Sequence, residues 1–239
     1  SDSKEGSKKN ELRPHLKKQW CIGQITSAFI WHMEEVLDMY EQPYDPRRPV
    51  ICFDERPCQL IKDVIAPIPM KMGEVLRQDY HYKRNGTCCV LMAVEPLAGK
   101  RIVAVKERRT KKDYADFMKQ IEKKYHNAEK IVLVQDNLNT HNPSSFYEAF
   151  SPENAFWLTQ RFQMVYTPKK ASWLNMAEIE LSALAKQCLN RRLGNMTKFS
   201  REVYAWTKCR NRRKTTVSWQ FTKNIAREKL GRHYDIIKY

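Results

Sequence analysis

The chain has 239 residues, 42% of them hydrophobic, with 43 Lys and Arg against 27 Asp and Glu and a formal net charge of +16. This size and apolar content supply one large α/β domain, alone or with an appendage, and exclude a disordered or low-complexity chain. The positive balance favours polyanions, nucleic acid foremost, and no apolar run approaches the roughly 18 residues a bilayer span needs, so no membrane partner is expected.

In chain order, residues 1–19 open on the polar stretch SDSKEGSKKNE, which is no signal peptide, and run into a basic segment from Arg13 to Lys18. A leader or linker is expected there, and the start on Ser1 rather than Met reads as a trimmed or processed terminus. From Thr26 to Tyr40 the apolar residues Phe29, Ile30, Met33, Val36, Leu37 and Tyr40 have helical spacing, and Pro43 and Pro46 stop the helix. Val50 to Asp54 is a strand. An irregular insert carrying Pro57, Pro67 and Pro69 follows from Arg56 to Asn85, and two strands, Thr87 to Glu95 and Lys100 to Glu107, then meet at the hairpin turn Pro96-Leu97-Ala98-Gly99.

Asp113 to Tyr125 has helical spacing, and Lys130 to Gln135 is a buried strand. Short helices at Ser144 to Phe150 and Pro152 to Phe162 lead to a last strand at Met164 to Thr167 and a long helix from Asn175 to Leu193. Two further helices, Ser200 to Arg212 and Thr222 to Gly231, flank the basic run Lys208, Arg210, Arg212, Arg213 and Lys214. The seven cysteines are an odd set with no CxxC pair, which predicts reduced thiols and an intracellular protein.

Three acids stand out in this order. Asp54 in VICFDERP and Asp136 in IVLVQDNLNTH each follow a β-branched apolar run, so both are expected at strand carboxyl ends, where open α/β sheets form their sites. Glu178, in SWLNMAEIEL, falls in the first turn of the long helix. Three carboxylates from two strand ends and a helix start are hard oxygen ligands for two divalent ions. In a basic chain this points to phosphodiester chemistry. The competing reading of Glu178 is a capping box with Asn175. Glu180 points about 200° away on the helix and is expected to be a surface or salt-bridge acid, the fallback third ligand. Glu55 is expected to face away from Asp54 on an alternating strand.

Supporting residues are less specific. His141 can orient a phosphate or a water near Asp136, with Asn137 and Asn139 in the same loop, or simply cap that loop. Trp173 either stacks on a base or is buried. Lys169 and Lys170 precede the Glu178 helix as phosphate contacts or a solvated turn, and Arg210, Arg212, Arg213 and Lys214 are expected to hold the DNA backbone.

Three strands, a helix, a strand, helices, a strand and a helix is the order of a ribonuclease H-like mixed sheet flanked by helices. The wording around the acids, DERP, DNLNTH and TPKKASWLNMAEIEL, closely resembles the DDE-type transposases of the IS630 branch of the IS630/Tc1/mariner superfamily. The resemblance runs from about Lys9 to Arg232 and includes DYHYKRNGT, EPLAGKR, ERRTKKDYADFM and WQFTKNIAREKL. It implies that Asp54, Asp136 and Glu178 are the catalytic triad, holding two Mg2+ or Mn2+ ions, and that the protein cuts element ends and joins them to target DNA at TA dinucleotides. It also implies a homodimer acting at the prokaryotic nucleoid, in the cytoplasm.

The spacing between Asp136 and Glu178 exceeds that typical of Tc1/mariner relatives, and the helices between Ser144 and Phe162 account for the surplus. Family members begin with helix-turn-helix modules, and none is read upstream of Lys9. The expected organisation is therefore a basic leader and helix over 1–48, linking from a DNA-binding region, a catalytic domain over 49–195, and a basic helical extension over 196–239 packed on it. Rivals are another ribonuclease H-like nuclease, such as a resolvase or RNA:DNA hybrid nuclease, and a non-catalytic or domesticated DNA-binding fragment. An aspartyl phosphatase is disfavoured, because Arg56 stands where such enzymes need a second Asp.

Overall fold

In the computed structural model, which describes residues 25–236, five strands form one sheet in the order β3-β2-β1-β4-β5. They are β1 (Val50–Asp63), β2 (Tyr82–Glu95), β3 (Lys100–Lys106), β4 (Ile131–Gln135) and β5 (Phe162–Tyr166). The first three pair antiparallel, while β4 runs parallel to both β1 and β5. Every residue of β4, IVLVQ, is buried, as a central parallel strand covered on both faces requires.

The helices are α1 (Ser27–Glu41), α2 (Lys111–Lys124), α3 (Ser144–Ala149), α4 (Pro152–Arg161), α5 (Met176–Gln187), α6 (Met196–Arg212), α7 (Lys223–Lys229) and α8 (Gly231–Ile236). Alternation along β1 sorts them onto two faces. Ile51 and Phe53 point into a layer with Tyr114, Phe117, Met118 and Ile121 of α2, Phe146 of α3 and Leu158 of α4. Cys52 points the other way, toward Met33, Val36 and Leu37 of α1, Leu181 and Leu184 of α5, Val203 of α6 and Ala226 of α7. Each such side chain stabilises the fold by about 1.5–3 kcal/mol through burial. The residues on the two faces of one strand thus decide which helices each acid can meet.

β1 and β2 are longer than the sequence pattern predicts. β1 continues from Asp54 to Asp63 because its hairpin partner β2 begins at Tyr82, and the two stay in register through Cys58 and Cys88. The irregular insert shrinks to residues 64–81. The helix predicted to reach Leu193 ends at Gln187 instead, because the following chain crosses to the tip of that hairpin. There the Leu193 carbonyl accepts the Ile61 N–H at 3.1 Å, and the Gly194 carbonyl accepts Asn85 Nδ2 at 2.5 Å. α6 starts earlier than predicted, capped by the Asn195 side chain on the Lys198 N–H at 2.8 Å. The leader read over 1–19, with Cys21, lies outside the described residues.

Candidate active site

β4 stops at Gln135, and its pairing with β1 ends at Cys52 and Val134. β1 runs on, held by β2 alone, so Asp54 is inside a strand yet at the open end of the parallel pair. Asp136 is the first residue beyond β4. Asp54 shares its face of β1 with Cys52, the face that α5 covers, and Glu178 stands in the first turn of α5.

Asn175 joins these elements. Its Oδ1 accepts the Ala177 N–H at 3.1 Å as the helix cap, and its Nδ2 donates to the Phe53 carbonyl at 2.7 Å, next to Asp54. The Asn175 N–H donates to the Ser172 carbonyl at 2.7 Å, so capping makes no demand on the Glu178 carboxylate. The three acids feel one another. Burial first, then the charges of Glu178 and Asp136, raise the Asp54 carboxyl to about 7, against the Glu55 N–H bonded to its Oδ1 at 2.7 Å. A divalent cation relieves such crowding, and three carboxylates are the hard donors that Mg2+ and Mn2+ take. The donor chemistry therefore fits, although among the described residues no three His, Cys, Asp or Glu side chains already form a group able to hold a metal ion.

His141 is fully buried, with Nδ1 against Asp136 Oδ1 and Nε2 3.4 Å from Glu55 Oε2. Burial opposes its charge, but the two carboxylates outweigh it and raise the imidazole to about 9. Glu55 faces away from Asp54, as alternation predicts, but it is not outside the site: it reaches His141 from the other face of the sheet. Burial works against its charge, and His141 with Arg109, whose Nη1 donates at 2.8 Å, still hold it below the usual range. Sequence reasoning missed Glu55 and Arg109. The available signal was an acid on the same strand face as Ile51 and Phe53, a position that demands a partner.

Glu180 is the salt-bridge acid of the two readings, and only its fallback role as a third ligand is corrected: it is buried and grips Arg101 at 2.8 and 3.0 Å and Arg210 at 2.7 and 2.9 Å. Arg210 is corrected with it, because its guanidinium is committed to Glu180 and lies over the Trp206 ring rather than free for phosphate. Arg212, Arg213 and Lys214 are exposed, but the structure does not bring them to the acids. Lys214 packs against Gly99 of the β2–β3 turn, where Val217 N–H donates to the Pro96 carbonyl at 3.1 Å, at the Val50 end of β1 rather than where β4 delivers Asp136. Four residue steps along β1 separate Val50 from Asp54, about 13 Å.

Lys169 and Lys170, by contrast, are exposed on the turn after β5 and border a cavity of about 400 Å³ together with Phe29, His32, Asn137 and Thr167. Asn137 places that cavity beside Asp136. Trp173 is half-buried, edge-on to the Phe221 ring at 5.5 Å.

An antiparallel hairpin feeding parallel strands, with acids at the open end, is a ribonuclease H-like catalytic domain. The family model for DDE superfamily endonucleases matches residues 49–200, and the chain belongs to that family. Among solved structures, the Mos1 mariner paired end complex with Mn superposes with a TM-score of 0.55 at 10% identity, over 96% of this chain and 67% of that one. That likeness carries the fold, and this chain spans about two thirds of its length. The catalytic domain of Mos1 mariner transposase gives 0.45 at 8% identity over 82% and 96%, and the HTLV-2 integrase catalytic core in complex with magnesium gives 0.35 at 12% over 69% and 88%. No curated protein sequence matches the chain.

Proposed function

We propose that this endonuclease is the catalytic domain of a DNA transposase of the IS630 type, an insertion-sequence enzyme that cuts element ends and transfers the released strands into TA dinucleotides of target DNA. What supports it is the family match over residues 49–200, together with Asp54 on β1, Asp136 just beyond β4 and Glu178 in the first turn of α5. On this reading the three carboxylates hold two Mg2+ or Mn2+ ions. When bound, such a pair activates the attacking water or 3′-hydroxyl and stabilises the leaving oxygen. The residues do the rest. β1 gives Asp54 a rigid seat in an antiparallel ladder, Asn175 fixes the start of α5 against that seat, and Asp136 comes to them on the loop after β4.

The net charge of +16 draws DNA to the chain, and Lys169 and Lys170 at the cavity beside Asn137 receive the phosphates of the strand to be cut. The exposed Arg212, Arg213 and Lys214 take DNA backbone at the Val50 end of β1, to one side of the reacting phosphate. Residues 49–195 form the catalytic domain and 196–239 the extension on it, a division supported by the packing of α6 on β3. The working unit is a homodimer in the prokaryotic cytoplasm, at the nucleoid.

The test is cleavage of a labelled duplex carrying 3′-hydroxyl ends, with Mg2+ or Mn2+ against EDTA, comparing the chain with Asp136→Asn. Nicking or strand joining that needs metal and disappears in the variant supports the proposal. Cleavage that survives either change sinks it.

A further inference from the structure

Of the three acids, Asp136 has the least regular support. Asp54 is in a ladder and Glu178 on a helix, but Asp136 stands in a loop with its side chain one-third exposed. Among the described residues, one side chain bonds its carboxylate. His141 meets Oδ1, and among the described residues Oδ2 makes no hydrogen bond, so one oxygen is left to the site.

The imidazole that makes this contact cannot turn. Its ring is stacked on Tyr114 at 5.1 Å and lies edge-on to Phe53 at 5.1 Å. Its backbone is fixed on both sides: the N–H donates to the Leu138 carbonyl at 2.9 Å, and the carbonyl accepts Gln135 Nε2 at 2.9 Å. A loop-capping histidine would spend its ring nitrogens on nearby main chain. This one places them against carboxylates 5 and 86 residues away in sequence. The second, Glu55, has a side chain only 5% exposed and is gripped from outside by Arg109 at 2.8 Å.

Resting on the metal-dependent reading above, we infer that Arg109, Glu55 and His141 form a positioning relay that fixes the Asp136 carboxylate for a divalent cation. None of the three touches DNA or metal. Arg109 orients Glu55, Glu55 and Asp136 clamp the two imidazole nitrogens, and the clamped ring presents Asp136 with Oδ2 toward the site. Partners that orient a metal-binding group from behind typically contribute 10- to 100-fold in metal affinity. Glu55 and Asp54 are neighbours on opposite faces of β1, so the strand that seats the first acid also steadies the second.

The experiment is Mn2+ binding by electron paramagnetic resonance on the full chain without DNA, with thermal unfolding and DNA affinity in EDTA as companions. Glu55→Gln and Arg109→Ala are expected to weaken Mn2+ binding, Glu55→Gln by about 10-fold or more. DNA affinity in EDTA stays at the wild-type value, and Arg109→Lys, which keeps the cation, recovers most of the loss. His141→Ala is expected to show the largest effect; if its buried cavity prevents folding, the two rim variants decide the matter. Unaltered Mn2+ binding in both Glu55→Gln and Arg109→Ala overturns the relay while leaving the catalytic reading intact. Wild-type protein that binds no Mn2+ and cuts no DNA removes the catalytic reading, and the relay with it.

Discussion

Asn175 Nδ2 donates to the Phe53 carbonyl at 2.7 Å, so one buried amide ties the start of α5 to the strand residue that precedes Asp54. The same side chain caps the helix through Oδ1. The separation of Glu178 from Asp54 is therefore set by a helix cap and a strand carbonyl sharing one residue.

Replacing Asn175 with Ala is expected to remove a cap worth about 1 kcal/mol and to strand a buried carbonyl at a further cost of about 1–3 kcal/mol. Urea unfolding should show the sum. Asn175→Asp retains the cap acceptor but turns a buried carboxylate oxygen on the Phe53 carbonyl beside Asp54, so it should cost at least as much as Ala. Cleavage should drop in both folded variants, because Glu178 is no longer registered on β1.

Asp54→Asn, Asp136→Asn and Glu178→Gln are each expected to abolish strand cleavage while DNA affinity, measured by gel shift in EDTA, stays within a few-fold of wild type. Retained cleavage in any one of them removes that residue from the triad.

Glu180→Gln tests the opposite role. Breaking one member of a buried ion group costs about 3–5 kcal/mol, since Arg101, wholly buried at its side chain, is left without its counter-charge. The expected outcome is a marked fall in melting temperature with cleavage per folded molecule close to wild type, the reverse of Glu178→Gln.

The same group sets an acid limit. Burial opposes ionisation of Glu180, but Arg101 and Arg210 prevail and its pKa falls below the ordinary 4.5. A depressed carboxylate contributes stability that is complete above about 4.5 and drains away as the pH falls through the folded-state value. Melting temperature followed from pH 7 downward should decline below that point in the wild type and less steeply in Glu180→Gln.

Gly99 has φ +65°, and a Cβ there would stand 2.6 Å from the backbone carbon and oxygen of Lys214. Gly99→Ala is therefore expected to cost about 1–2 kcal/mol in backbone strain and about 1–3 kcal/mol in overpacking. Chemical unfolding should show that loss.

Much of this was legible in the chain because its signals are local. The β-branched runs before Asp54 and Asp136 give the strands, and Asn175 before an apolar-periodic stretch gives the start of α5. What escaped depends on contacts distant in sequence. β1 outruns its predicted end because β2 pairs with it, and α5 stops early because Leu193 and Gly194 are bound to the hairpin tip. A basic run at 210–214 reads the same whether its members meet phosphate or, as Arg210 does, a buried glutamate. Glu55 was assigned to the correct face, but the residue waiting there, His141, comes from another strand's loop.

α1 and α7 close together over one face of the sheet. Arg227 of α7 pairs through two bonds of 2.8 Å with Glu34 of α1, Lys223 meets Asp38, and the Lys223 N–H donates to Glu41 at 2.6 Å. Beneath them lie Met33, Val36, Leu37, Val203 and Ala226, all outside the span of the family match. A recombinant fragment cut to residues 49–200 would keep all three acids and yet uncover the apolar layer behind Cys52. The shortest soluble form of this enzyme is accordingly set by where its core is roofed, well beyond both borders of the stretch that carries its chemistry.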